Sequence, residues 1–190
     1  MTMDGANKAE GDKVILVDAE DNEVGTAGKL DAHRCALLHR AISVLIRDSR
    51  GRLLLQKRQA GKYHSGGLWT NCCCSHPRPG EAPIDAAHRR LTEEMGFDCR
   101  LEPLGLTSYR AAVGNGLTEH EVVHLFAGTY DGPVAPDPRE ADGFAWVEAD
   151  ELAADLAARP ARYTAWFRHY AAANWPLSGN RQPAAGARAR

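Results

Sequence analysis

The string TNCCCSHP, residues 70–77, sets three consecutive cysteines one residue ahead of a histidine. Thiolate and imidazole are favoured ligands for zinc-like metals. A cysteine of tuned pKa is also a nucleophile or an acid/base. Four chemistries are therefore open: a metal knuckle, a disulfide, a reactive thiol and plain buried packing. The chain has five cysteines, an odd number, and its opening MTMDGANKAEGDK is polar with no apolar h-region. These features predict a cytoplasmic, reducing setting with the cysteines as thiols, which disfavours a disulfide. In an extended segment Cys72 and Cys74 share one face and Cys73 points away. Cys73 then reads as a small core residue, and Cys72 as a companion of Cys74 without a chemical role. Cys35 and Cys99 read as packing or bystander thiols.

A second group lies in HRRLTEEMG, where Arg89/Glu93 and Arg90/Glu94 are spaced i, i+4 and share helical faces. Ala87, Leu91 and Met95 form the adjacent apolar stripe. Taken alone, such pairs are ordinary surface ion pairs. A third group is Glu119 and Glu121 in TEHEVVHLF, two apart in a predicted strand, so that both carboxylates face the same way. Alone, that pattern equally describes the polar edge of a sheet.

These groups need elements to hold them. KVILVDAEDNEVG (13–25) reads as a strand, a polar turn and a return strand. A loop with His33 and His39 follows, then AISVLIRDSRGRLLLQKR (41–58), a hairpin turning at Asp48-Ser49-Arg50-Gly51. PIDAAHRRLTEEMGF (83–97) reads as a helix, with Pro83 in its first turn, Asp85 on the positive end of the dipole and Gly96 as its stop. Strands are expected near 99–110, 120–130 and 143–148, and two helices in EADELAADLAARP and ARYTAWFRHYAAANW. The mixture predicts an α+β protein, an α/β sandwich of mixed β-sheets flanked by helices. Residues 1–12 and 177–190 read as flexible tails around one catalytic domain over 13–176. A length of 190 residues, 44% hydrophobic and 25% charged, suits one globular domain. A net charge of −2 gives no strong pull toward nucleic acid or anionic membrane. No apolar run approaches the ~20 residues that span a bilayer.

The helix belongs to a longer string: Ser75-x5-Glu81-x7-Arg89-Arg90-Leu91-Thr92-Glu93-Glu94-Met95-Gly96-Phe97. It resembles the Nudix box, G-x5-E-x7-R-E-U-x-E-E-x-G-U, with Ser75 for the opening glycine and Arg90 for a glutamate. That box holds Mg²⁺ with carboxylates and so grips a diphosphate. A cation at position 90 suits an intact diphosphate better than one being hydrolysed.

Within that superfamily the chain resembles the type I isopentenyl-diphosphate Δ-isomerases, from about residue 13 to 176. LLLQKR, GLWTN, TNCCCSHP, the Nudix helix, YRA, E-x-E and the late Trp166 occur in order. The resemblance implies Cys74 as the catalytic thiol and Glu121 as its acid/base partner, without saying which gives the first proton. It implies Tyr109 as the hydrogen-bond partner of Glu121, and Trp166 as an indole wall for a carbocation, worth about 2 kcal/mol when dry. It further implies a Mn²⁺ or Zn²⁺ site of His33, His39, His76, Glu119 and Glu121, and Mg²⁺ on Glu94 and the Cys74 carbonyl. Lys29, Arg58, Lys62 and Arg90 would grip the diphosphate. The expected substrate is a small isoprenyl diphosphate, with no nucleic acid or membrane as partner, and the chain a monomer or homodimer.

In a straight strand His33 and His39 would stand ~20 Å apart. A shared metal therefore requires the segment to fold back, and we expect a curved loop there, best ordered with metal bound. His64, His88, His120, His124 and His169 read as ordinary surface or core residues, and Trp69 and Trp146 as packing, Trp69 with a place near the pocket. Two rival readings stay open: a Nudix pyrophosphohydrolase, and a non-enzymatic metal-binding module with the cysteine string as a zinc knuckle.

Overall fold

The computed structural model describes residues 13–173. The tails expected over 1–12 and 177–190 lie outside them. β1 (Lys13–Val17) and β2 (Glu23–Gly28) form the first antiparallel pair, as their alternation predicts. A short helix, α1 (Lys29–Arg34), then delivers the chain to β3 (His39–Arg47). β4 (Leu53–Arg58), β5 (Trp69–Asn71) and β6 (Cys73–Ser75) precede the long helix α2 (Pro83–Met95). β7 (Leu101–Gly114) and β8 (Leu117–Thr129) make an extended hairpin, and β9 (Ala141–Val147) returns to β4. α3 (Ala149–Ala158) and α4 (Ala165–Ala172) close the described chain. The resulting mixed sheet flanked by helices is the expected α+β sandwich.

β3 is the hub. β8 runs parallel along its whole length, from His39↔Glu121 to Arg47↔Thr129. The other edge of β3 is shared by β1 at His39, β6 at Ile42–Val44 and β4 at Arg47. Both faces are also covered, so Ala41 to Ile46 are buried without a break, as expected for a strand with a parallel neighbour and helices on either side. Ile42, Val44 and Ile46 pack with Ala86, Ala87, Leu91 and Met95 of α2. Ala41 and Leu45 pack with Val123, Leu125 and the α4 residues Trp166, Phe167 and Tyr170.

Three expectations are corrected. The 41–58 hairpin exists only at its turn: β3 and β4 pair at Arg47↔Leu53 and then part. β4 instead takes β9 and β5 as neighbours, while the edge of β3 beyond Arg47 goes to β6 and β1. β3 and β4 still share both core layers, Leu54 packing with Ile42, Val44 and Ile46, and Leu53 and Leu55 with Ala41 and Leu45. The loop expected around His33 and His39 is partly helical, with His33 on α1 and a left-handed residue, Ala36 (φ 51°), turning the chain back. The second C-terminal helix begins at Ala165, after a 3₁₀ turn at Pro160–Arg162, and so excludes Ala161 to Thr164.

α2 begins with proline at its first turn and ends at Gly96, whose φ of 75° is left-handed. A Cβ on Gly96 would lie 2.5 Å from the Ala135 carbonyl oxygen. Gly96→Ala therefore adds backbone strain to a steric clash and should destabilise the fold by about 1–3 kcal/mol. Thermal unfolding followed by circular dichroism checks this; an unchanged midpoint would refute the cap's role.

Candidate active site

Five side chains from four stretches of chain converge on the α4 side of the sheet. His33 comes from α1, His39 opens β3, His76 follows β6, and Glu119 and Glu121 alternate along β8. One potential ligand atom from each lies within 4.8 Å of all the others. His33 and His39 are fully buried and both glutamates nearly so. His33 Nε2 is 2.9 Å from Glu119 Oε2, and His76 Nε2 is 2.9 Å from Glu121 Oε1. His39 Nε2 stands 3.2 Å from His76 Nε2. His39 Nδ1–H donates to the Leu37 carbonyl at 2.8 Å, leaving Nε2 as the lone-pair nitrogen facing the others.

The test of fit to a cation is where these atoms find partners. His33 Nε2 and Glu119 Oε2 are buried and, although 2.9 Å apart, lack hydrogen-bond geometry to each other or to any other group among the described residues. Buried polar atoms without partners are rare. Metal bonds of ~2.0–2.2 Å would place opposed ligands about 4 Å apart, close to the observed spread. The donor set, imidazole and carboxylate, suits a borderline divalent ion. Protein groups also hold the charges: against burial and Glu121, His33 and His64 keep the Glu119 carboxyl below its usual range. Against burial, His39 and Tyr109 do the same for Glu121.

The same cavity, about 100 Å³ in volume, is lined by Lys29, Arg58, Lys62 and Arg90. Arg90 bonds Glu94 at 2.7 Å and Glu93 at 2.7 Å, and reaches Glu140 at 3.3 Å. Lys62 also pairs with Glu140. Against burial, Glu94 and Glu140 push the Arg90 pKa upward. Burial pulls Lys29 down. The Arg58 guanidinium lies over the Trp166 ring, 5.2 Å from its centroid, and its buried Nε has no hydrogen-bond partner among the described residues. Glu94 is buried, with Oε1 on Arg90 and Oε2 accepting from Gln56 Nε2 at 3.1 Å. This carboxylate supplies the hard oxygen that a Mg²⁺ would need.

Cys74 opens into the cavity with Glu121, Tyr109 and Trp166. Its Sγ donates to Asn71 Oδ1 at 3.1 Å and lies 3.3 Å from Ser43 Oγ. Asn71 is fixed for this task, since its Nδ2 is taken up by Ser43 Oγ and the carbonyls of Val44 and Cys73. Burial raises the Cys74 thiol to about 12, opposed in part by its hydrogen bonds with Ser43 and Asn71. The sulfur is thus kept as S–H. Across β3, Tyr109 Oη donates to Glu121 Oε2 at 2.6 Å. Trp166 Nε1 donates to Thr70 Oγ1 at 2.8 Å, which fixes the indole plane.

A NUDIX domain matches residues 37–167. The chain belongs to the NUDIX family. Among its relatives, "Isopentenyl-diphosphate Delta-isomerase 2" of Aromatoleum aromaticum is 56% identical over 155 residues, 82% of each chain. "Isopentenyl-diphosphate Delta-isomerase" of Burkholderia multivorans is 51% identical over 82% of this chain and 89% of that one. In fold the chain is similar to DR0079 of Deinococcus radiodurans, with a TM-score of 0.66 at 20% identity, covering 77% of this chain and 90% of that one. NUDIX enzymes act with divalent metals, and the five-residue group here could hold one. No described helix is long and apolar enough to cross a membrane.

Two expectations about this NUDIX site are corrected. Cys72 does not accompany Cys74: it sits at a bend between β5 and β6, and both Cys72 and Cys73 enter the α2 core. The bend breaks the alternation. His64 is not a bystander. It is buried against Glu119, with Nε2 3.0 Å from Oε1, and lines the cavity. Its place in a loop, GKYHSGG, gave no periodicity to follow. Ser43, Gln56 and Glu140 are further site residues that act through partners distant in sequence, whereas Asn71 orients Cys74 three residues on and is itself held by Ser43 and Val44. His88, His120, His124 and His169 lie outside the cavity lining, and Trp146 and Trp69 pack on the two core clusters. All five cysteines are free thiols.

Mn²⁺ or Zn²⁺ added to chelator-treated protein should bind at this cluster at about one ion per chain. At a hundredfold excess over Kd it should stabilise the fold by about 2.7 kcal/mol. Calorimetric titration and thermal melts check this. The double variant His39→Ala, Glu119→Gln should lose both responses.

Proposed function

We propose that the chain interconverts isopentenyl diphosphate and dimethylallyl diphosphate, with Cys74 and Glu121 as the acid/base pair. The relatives named above motivate the substrate. The observation that carries the mechanism is that β6 and β8 flank β3 on opposite edges, yet Cys74 of β6 and Glu121 of β8 line one cavity with the four cations.

The reaction moves one proton on and another off. Protonation of the terminal alkene carbon leaves a tertiary cation at C3. Loss of a proton from C2 then sets the double bond in its new place. Such a step needs an acid on one side of the hydrocarbon and a base on the other. In this reading Cys74 offers the S–H and Glu121 the carboxyl, with Tyr109 holding Glu121 Oε2 and available to relay its proton. Which of the two gives the first proton depends on the direction of the reaction.

Lys29, Arg58, Lys62 and Arg90 grip the diphosphate, the two arginines being able to bind phosphate oxygens in pairs. Glu94 and the Cys74 carbonyl would hold Mg²⁺, and the five-residue cluster Mn²⁺ or Zn²⁺. When bound, these ions supply charge neutralisation at the diphosphate and a fixed orientation for Glu121. Trp166 presents a π-face near the cation, and α4, which carries it, acts as a lid that keeps water from trapping the cation as an alcohol. Arg90 also favours this reading over pyrophosphate hydrolysis, because it neutralises Glu93 and Glu94, two acids of the box.

Incubation with isopentenyl diphosphate and Mg²⁺ in deuterated water should give labelled dimethylallyl diphosphate and no free phosphate. Release of phosphate would sink the proposal in favour of hydrolysis. Cys74→Ala and Glu121→Gln should each lower kcat by roughly 10²–10⁴-fold with the far-ultraviolet spectrum unchanged. Full rate in both would refute the pairing.

A further inference from the structure

His64 belongs neither to the five-residue cluster nor to the acid/base pair, yet it is only 4% exposed and points at Glu119. The two oxygens of that carboxylate have different partners. Oε2 faces the cluster, 2.9 Å from His33 Nε2 and 3.8 Å from His39 Nε2. Oε1 is turned away, 3.0 Å from His64 Nε2. His64 Nδ1 lies 3.3 Å from Ser65 Oγ. A hydroxyl can donate to Nδ1, which leaves Nε2–H to donate to the carboxylate.

The segment carrying His64 is built to hold it. Ser65 is left-handed (φ 52°), and Gly66 approaches Ala60 so closely that a Cβ would stand 2.3 Å from its carbonyl oxygen. The His64 ring meets Trp166 edge-on at 5.9 Å and His33 at 5.7 Å. Its neighbour Tyr63 places a hydroxyl 3.2 Å from His33 Nδ1. Two adjacent residues of one loop thus hold two different cluster residues from behind.

We propose that His64 is a positioning residue for the metal centre: by occupying Oε1 it restricts Glu119 to giving one oxygen, Oε2, to a divalent cation. A carboxylate free to rotate would spread its charge over two binding modes and lose the fixed geometry that the histidines require. Outer partners of this kind are typically worth 10–100-fold in metal affinity.

The inference rests on the cluster geometry and not on the isomerisation, so a failed turnover assay leaves it standing. The test is Mn²⁺ titration of chelator-treated full-length protein, followed by calorimetry, for the wild type, His64→Ala and His64→Gln. A glutamine amide N–H can replace the Nε2–H donor. We expect Kd to rise roughly 10–100-fold in His64→Ala and to return to within about threefold of wild type in His64→Gln. Wild-type affinity in His64→Ala would overturn the proposal. So would equal weakening in both variants, or loss of the fold in His64→Gln, since either would make His64 a packing residue.

Discussion

Glu119 and Glu121 place two like charges side by side on one buried face of β8. Burial and mutual repulsion both disfavour their ionised forms, and an uncompensated pair would cost several kcal/mol. The surroundings answer that charge from every direction. Three imidazoles crowd one set of oxygens, Tyr109 caps Glu121, and His64 caps Glu119. The fold-back between α1 and β3 brings His33 and His39 to ring centroids 5.1 Å apart for the same reason. A divalent cation bound there would complete the balance and convert a liability into a rigid support for Glu121.

The cavity separates two electrostatic tasks. Lys29, Arg58, Lys62 and Arg90 supply positive charge for an anionic head. Cys74 sits where burial keeps its thiol protonated, beside groups that orient it without ionising it. Asn71 is central to that arrangement, because its amide nitrogen is so fully engaged that its oxygen must face the sulfur. A substrate with a charged head and a hydrocarbon tail matches both halves.

Much of this was legible in the residues. Alternation placed Glu119 and Glu121 on one face, and i, i+4 spacing paired Arg90 with Glu94; both follow from local geometry. The resemblance to the isomerases implied Lys29, Arg58, Lys62, Arg90, Cys74 and Glu121, and the fold gathers these six residues around one cavity. Long-range partners were not legible. His64 meets Glu119 across more than fifty residues, and no periodic signal marks a loop. The splitting of β3 from β4 depends on β6 pairing with β3 and on β5 and β9 pairing with β4, long-range choices that a strong turn at Asp48–Gly51 concealed. Cys72 was misread because one bend shifts the phase of a three-residue strand.

The parallel pairing of β3 with β8 joins residues roughly eighty positions apart, and His39↔Glu121 is its first rung. Loop closure on that scale comes late in folding. A growing chain would therefore carry its three histidines and its thiol well before it carries the carboxylates that complete the centre. Until β8 docks, those histidines have no partner to hold them together, so a nascent or truncated chain would be a poor metal competitor in the cell. Ion uptake at this cluster would thus have to wait until the hub strand β3 has taken β8 as its neighbour.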